Sequence, residues 1–334
     1  MADVHRIWGA EISPYSVKVR SYFRYKGIPH EWIVRGPDNM EEYQKYSKLP
    51  LIPTVATPDD EGMQDSTPIL EKLEAHFPEP SIHPGDPVSN FVSALLEEFG
   101  DEWGNKWMFH LRWAREADQD SAAERIAQTM APGASGDPLR GIADGIKDRM
   151  VNRVWFVGSN EQTAPQIEES FRDGLHQIAA HLQTRPYLFG ARPAFADFGL
   201  WGQIYNAWTD PTGKEWVEEH PAVVSWVQRM LEPKAEGSFE PWSALAPTLL
   251  PFLQSQVGAL FLPWSDANSK ALAGGQEEFS VELASGSWSQ KPQKYHARSL
   301  AALRQRYAAV PDKTELDPVL ERAGCRAWLA AAAP

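Results

Sequence analysis

Ser13-Pro14-Tyr15-Ser16 sets two hydroxyls and a phenol where a short apolar stretch, residues 4–10, gives way to a helix. A serine before a proline reads as a helix N-cap with proline at N1. Its oxygen has two lone pairs for helix amides and one proton to give elsewhere. Ser13 can therefore cap the helix and donate to another group at the same time; Tyr15 and Ser16 are rivals for the donor role. Asp65-Ser66 forms a second helix start, ahead of Ile69, Leu70, Leu73 and Phe77 on one face. A third set lies on a helix over 88–113, where Phe99, Trp103, Trp107 and His110 recur at spacings of four, four and three. That stripe is either an aromatic wall for an apolar ligand or core packing, and His110 is a candidate acid or base. Glu97, Glu98, Asp101 and Glu102 precede His110 but make no convincing ligand set, so no metal is expected.

The elements that must hold these residues follow from turn chemistry and periodicity. Residues 4–10 read as a strand. Tyr15, Val19, Tyr22 and Phe23 give the next helix its stripe, and Gly27 with Pro29 ends it. Glu31 to Val34 reads as a second strand, 38–48 as a short polar helix, and Ile52 to Ala56 as a third strand. A turn over 58–62 leads to a fourth strand and to the helix that Pro78 ends. The order is β-α-β-α-β-β-α, opening with a parallel pair. Four prolines between Pro78 and Pro87 mark a linker. Helices then dominate to about residue 232, with a loop over 131–136. The remainder reads as a helical stretch near 246–260, a hairpin over 278–288, and helices near 295–308 and 315–330. Three units result: 1–80, 88–238 and 239–334.

The 334 residues carry a net charge of −13. An acidic surface repels phosphate backbones, so neither nucleic acid nor anionic membrane is an expected partner. One cysteine, Cys325, allows no intramolecular disulfide and no four-thiolate metal site. A cytoplasmic location is the simplest reading. The first residues lack the apolar stretch of a signal peptide, and no apolar run approaches the ~18 residues of a membrane helix.

Four segments together resemble one family. Residues 13–28, Ser-Pro-Tyr-Ser-Val-Lys-Val-Arg-Ser-Tyr-Phe-Arg-Tyr-Lys-Gly-Ile, resemble the first helix of cytosolic glutathione transferases. Leu51-Ile52-Pro53-Thr54-Val55 is similar to their X-Pro segment, in which the proline is cis. Gln64 to Leu70 is similar to their acid-Ser signature, and Tyr187 to Phe198 to the motif opening their sixth helix. The resemblance spans about 1–235 and implies an α/β thioredoxin-like domain followed by an all-α domain, with 239–334 as an extra α+β segment.

The function implied is that of a serine-type glutathione S-transferase acting as a homodimer, with glutathione as co-substrate and a small hydrophobic electrophile. Ser13 would hold the glutathione thiolate. A free thiol has a pKa of about 8.5, and lowering it by two units takes ~2.7 kcal/mol. A hydroxyl hydrogen bond to a charged group supplies ~1.5–3 and a helix N-terminus ~0.3–1, so one serine can suffice. Ile52 and Pro53 would pair with the cysteinyl backbone, and Asp65 and Ser66 would hold the γ-glutamyl end. The glycyl carboxylate would take Lys48 or Lys45, because Pro50 and Leu51 stand where relatives often have lysine. Tyr15, Trp103, Trp107 and His110 would line the electrophile site. Cysteine is missing at position 13, which speaks against thiol-disulfide exchange through an enzyme thiol. Ala194 replaces the usual Ser or Thr cap three residues before Asp197. The alternative is a non-catalytic, metaxin-like binding or scaffold protein. The apolar stretches Leu249–Leu253 and Val257–Leu262 require burial. The expectation for the last unit is that it docks on the helical domain and covers part of the cleft near Trp103, Trp107 and His110, the alternative being packing far from the cleft as an oligomer contact.

Overall fold

The computed structural model describes residues 4–331. Strand β1 (His5–Gly9) leads through the Ser13 cap into α1 (Pro14–Lys26), which Gly27 ends in the left-handed region at φ 62°. There follow β2 (His30–Val34), a 3-10 turn at Pro37–Asn39, α2 (Met40–Tyr46), β3 (Thr54–Ala56), β4 (Gly62–Gln64) and α3 (Ser66–His76). The sheet order is β2-β1-β3-β4, with β1 and β2 parallel and the other pairs antiparallel. This is the thioredoxin-like order read from the sequence. Its register decides what the sheet can do. Trp8 pairs with Thr54, and Thr54 with Gln64. The chain leaving β1, the chain entering β3 and the chain leaving β4 therefore emerge at one end of the sheet. Those are the segments that carry Ser13, Ile52-Pro53 and Asp65-Ser66.

The helical part opens with α4 (Pro87–Phe99), a π-helical segment (Gly100–Gly104) and α5 (Asn105–Ala114), which form one continuous run. π-helical turns often mark functional positions. Next come the antiparallel pair α6 (Glu116–Met130) and α7 (Gly136–Val151), then α8 (Ala164–Leu182). Helix α9 (Phe195–Trp208) is buried along almost its whole length, and α10 (Pro211–Glu218) and α11 (Pro221–Arg229) close the unit. Ala194 does not prevent α9 from starting. Asp197 supplies the cap from inside the helix, accepting the amides of Ala194 and Leu188 and the indole N–H of Trp226. Gly202 lets α9 reach the start of α1, since a Cβ there would stand 2.6 Å from the Pro14 carbonyl oxygen.

Residues 242–273 form one helical run: α12 (Trp242–Phe252), a π-helical segment (Leu253–Phe261) and α13 (Leu262–Ala273). It is longer and more apolar than the sequence reading held. Its 32 residues include a window of mean hydropathy 1.3, long and apolar enough by composition to cross a membrane, yet 56% of that window is buried inside this chain. The expectation failed because prolines and Gln254-Ser255-Gln256 break the apolar string without breaking the helix. A hairpin follows, β5 (Phe279–Leu283) and β6 (Gly286–Gln290), then α14 (Lys294–Ala308), α15 (Leu316–Arg322) and α16 (Arg326–Ala330). Leu249, Leu253, Val257 and Phe261 join the core of the helical domain, and α14 lies along α4.

Candidate active site

The Ser13 oxygen accepts the amide of Ser16 at 3.3 Å, and the residue is half-buried. Its hydroxyl donates to nothing among the described residues. The two rivals are placed differently. The Ser16 hydroxyl is fully buried beneath the helix start, without a partner among the described residues. The Tyr15 hydroxyl donates to the Asp101 carbonyl at 2.9 Å, and burial pushes its pKa well above the ordinary value, keeping it a protonated donor. Of the three groups, Ser13 alone combines exposure with an uncommitted proton.

Ile52-Pro53 is a cis peptide. The Ile52 amide and carbonyl have no partner among the described residues, so this backbone is free to pair with an extended peptide. The loop ahead of it is held by two side chains the sequence reading missed. Tyr43 donates to the carbonyls of Leu49 and Leu51 at 3.0 and 2.7 Å. Gln64 accepts the amides of Lys48 and Leu49 and donates to the carbonyls of Leu49 and Leu51. A buried tyrosine on a polar helix was the available sign. Lys48 and Lys45 are exposed, and neither ammonium is ion-paired among the described residues.

Helix α3 begins without a side-chain cap. Asp65 sits at φ 75°, a conformation non-glycine residues adopt at a cost of about 1–3 kcal/mol. Its carboxylate turns away from the helix amides and accepts the Tyr295 hydroxyl at 3.0 and 3.1 Å. The first amides of α3 are left open, an arrangement suited to a carboxylate. The Ser66 hydroxyl lies buried in a network that sequence reasoning also missed. Lys18 reaches Ser66 at 3.3 Å, Thr67 at 3.2 Å and Asp101 at 2.6 Å, and it pairs with Glu97. Burial alone would lower the Lys18 ammonium, but Asp101 and Glu97 outweigh it and hold the pKa above the ordinary lysine value. Burial raises Asp101, against the pull of Lys18. Lys18 thus ties the start of α3 to the π-helical segment.

Trp103, Trp107 and His110 do not form an open wall. Trp103 and Trp107 both donate their indole N–H to Ser170 at 2.9 Å, and Ser170 donates to Gln256. Trp103 also packs on Trp264 and Trp288. His110 bonds Ser159 at 2.8 Å and Glu168 at 3.1 Å, and burial lowers its pKa despite Glu168. All three are buried core, so the expectation of an aromatic electrophile wall is corrected. The last unit does cover Trp103, but by packing Trp264 and Trp288 directly on the buried ring rather than as a lid over a cleft. The apolar surface that touches the Ser13 segment is a different one. Ile12 and Phe109 both pack against the cluster that Trp113 forms with the facing sides of α6 and α7. Arg112 donates to the Ile12 carbonyl at 2.8 Å and bonds Asp210 and Asn206.

The chain matches the family models for the glutathione S-transferase N-terminal domain over residues 8–81 and C-terminal domain over residues 161–229. The isoprene-epoxide glutathione S-transferase of Rhodococcus sp. (strain AD45) is 24% identical over 233 residues, 67% of this chain and 93% of the relative. The tetrachloro-p-hydroquinone reductive dehalogenase of Sphingobium chlorophenolicum is 25% identical over 214 residues, 61% of this chain and 79% of the relative. Among solved structures, the beta-etherase LigF of Sphingobium sp. strain SYK-6 aligns with 69% of this chain and 95% of its own, at 19% identity and a TM-score of 0.49.

Proposed function

Because the chain belongs to the glutathione S-transferase superfamily, we propose that it binds glutathione, holds its thiol as the thiolate and delivers the sulfur to a hydrophobic or aromatic electrophile. The observation that carries this reading is Ser13: a half-buried hydroxyl on a helix N-terminus with its proton uncommitted. Donation to sulfur lowers the thiol pKa, and the helix end adds to the preference for the anion. The peptide backbone of glutathione lies along the free main chain of Ile52-Pro53, with a γ-glutamyl carboxylate at the open amides of α3 beside Ser66. Lys48 or Lys45 meets the glycyl carboxylate.

The electrophile enters beside Ile12 and Phe109. The thiolate attacks its carbon, a thioether forms, and the leaving oxygen or halide departs with the electron pair. Conjugation of the epoxide kind, after which one relative is named, suits this chain better than reduction through an enzyme thiol. Position 13 holds no thiol, and burial pushes Cys325 up to about 12. The protein acts as a cytoplasmic homodimer in this reading, which sedimentation equilibrium checks.

The test is Ser13→Ala. The thiolate absorbance of bound glutathione should titrate at higher pH, turnover at neutral pH should drop about tenfold or more, and the fold should lose at most ~1 kcal/mol as a cap. An unchanged thiolate titration would remove Ser13 from the role.

A further inference from the structure

A cavity of about 230 Å³ lies between the start of α3, the π-helical segment after α4, and α14. Its walls come from all three parts of the chain, including Asp65 and Thr67, Asp101 and Glu102, and Tyr295 and Arg298. Most of its charges are already matched. Glu102 pairs with His296, Glu98 accepts the Ser299 hydroxyl, and Arg306 pairs with Glu71. Two groups are not fully matched. Asp101 is buried, and while its Oδ2 is paired with Lys18, its Oδ1 has no hydrogen-bond partner among the described residues. Arg298 is exposed and enters no ion pair among the described residues. A buried carboxylate oxygen without a donor is costly. One wall thus offers a carboxylate oxygen without a donor, on an acid whose Oδ2 is already paired with Lys18. Another offers a guanidinium without an ion pair, and the uncapped amides of α3 open beside them.

A simple cation would leave Arg298 without a counter-ion, and a simple anion would leave Asp101 Oδ1 without a donor. A group carrying both charges on one carbon satisfies each. We propose that α14 completes the binding site for the α-amino-acid end of the thiol co-substrate, with Arg298 as the counter-ion of its carboxylate and Tyr295 as the residue that positions Asp65. The inference rests on the glutathione reading and deepens it. The ammonium sits between Asp65 and Asp101 Oδ1, and the carboxylate spans the α3 amides and the Arg298 guanidinium, which is built for carboxylates. Tyr295 holds Asp65 in its strained conformation through both carboxylate oxygens. The last unit of the chain is then part of the co-substrate site, in the same polypeptide.

Calorimetry on the full chain with two probes tests this: glutathione, and cysteinylglycine, which lacks the γ-glutamyl group. Arg298→Ala removes an exposed side chain with no partner among the described residues, so melting should be unchanged. It should weaken glutathione about tenfold or more, leave cysteinylglycine unaffected, and leave the pKa of the bound thiol where it was. Arg298→Lys should restore part of the loss. Tyr295→Phe should weaken glutathione by a smaller factor. If the unaltered protein binds glutathione and Arg298→Ala binds it equally well, the proposal falls and the glutathione reading stands. If the unaltered protein binds neither probe, both fall.

Discussion

Lys18 and Lys106 are both fully buried, and the chain meets the two charges in opposite ways. Lys18 stands among carboxylates and hydroxyls, and Asp101 and Glu97 outweigh burial to raise its pKa. Lys106 stands in an indole cage. Its ammonium lies 3.7 Å from the ring centre of Trp264, 5.2 Å from Trp288 and 5.6 Å from Trp103, and donates to the carbonyl of Val157 and to Gln290. Burial drives its pKa well below the ordinary value, and the attraction of Glu102 does not reverse this. A charge answered by charge locks two elements at the candidate site. A charge answered by ring faces and neutral acceptors glues the last unit to the helical domain.

The largest effect should come from deleting everything after about residue 238. The cage loses Trp264, Trp288 and Gln290, and Trp103 meets water. Each large apolar side chain uncovered costs about 1.5–3 kcal/mol, against a total stability of about 5–15. The truncated chain should fail to accumulate as folded monodisperse protein, and a soluble, cooperatively melting product would show that the last unit is detachable after all. Lys18→Met comes next. It strands Glu97 and Asp101 in the interior and should cost about 3–5 kcal/mol in urea denaturation; a loss under about 1 kcal/mol would mean those acids are already protonated. Lys106→Met should be the mildest, within about 1 kcal/mol of the parent, because a desolvated cation is exchanged for an apolar chain of similar shape.

The pH dependence sharpens the same contrast. Lys18 has a raised pKa, so its contribution is complete below the ordinary lysine value of 10.5 and is lost as pH climbs through the folded-state value. Lys106 has a lowered pKa. Between that value and 10.5 the unfolded chain binds the extra proton, so stability should rise with pH there, and Lys106→Met should abolish the rise. A falling slope in the parent protein would show that the cage holds the ammonium more tightly than burial expels it.

The first domain was legible because its turns carry their own chemistry. Ser13-Pro14 starts a helix, Gly27 ends it, and short apolar runs between turn residues make strands. The candidate site was legible to the same depth: Ser13, Ile52-Pro53 and Asp65-Ser66 each lie at a punctuation mark. Periodicity says which residues share a helix face, not what covers that face. Phe99, Trp103, Trp107 and His110 share one as the spacing required, but their cover comes from Trp264, Trp288, Gln256 and Glu168, far along the chain. Lys18 left a trace that local reading passed over. It lies in the apolar stripe with Tyr15, Val19 and Tyr22, and Glu97 and Asp101 stand one helical turn apart to receive it. Tyr295 and Arg298 left none, because nothing near them in sequence bears on the start of α3.

Cys325 is fully buried at the N-terminus of α16. It is the chain's only thiol. A thiol reagent can reach it only when the end of the molecule opens, so its labelling rate counts those openings. The protein carries its own clock for how often α14 to α16 leave their place, and a ligand that bridges α3 and α14 should slow that clock.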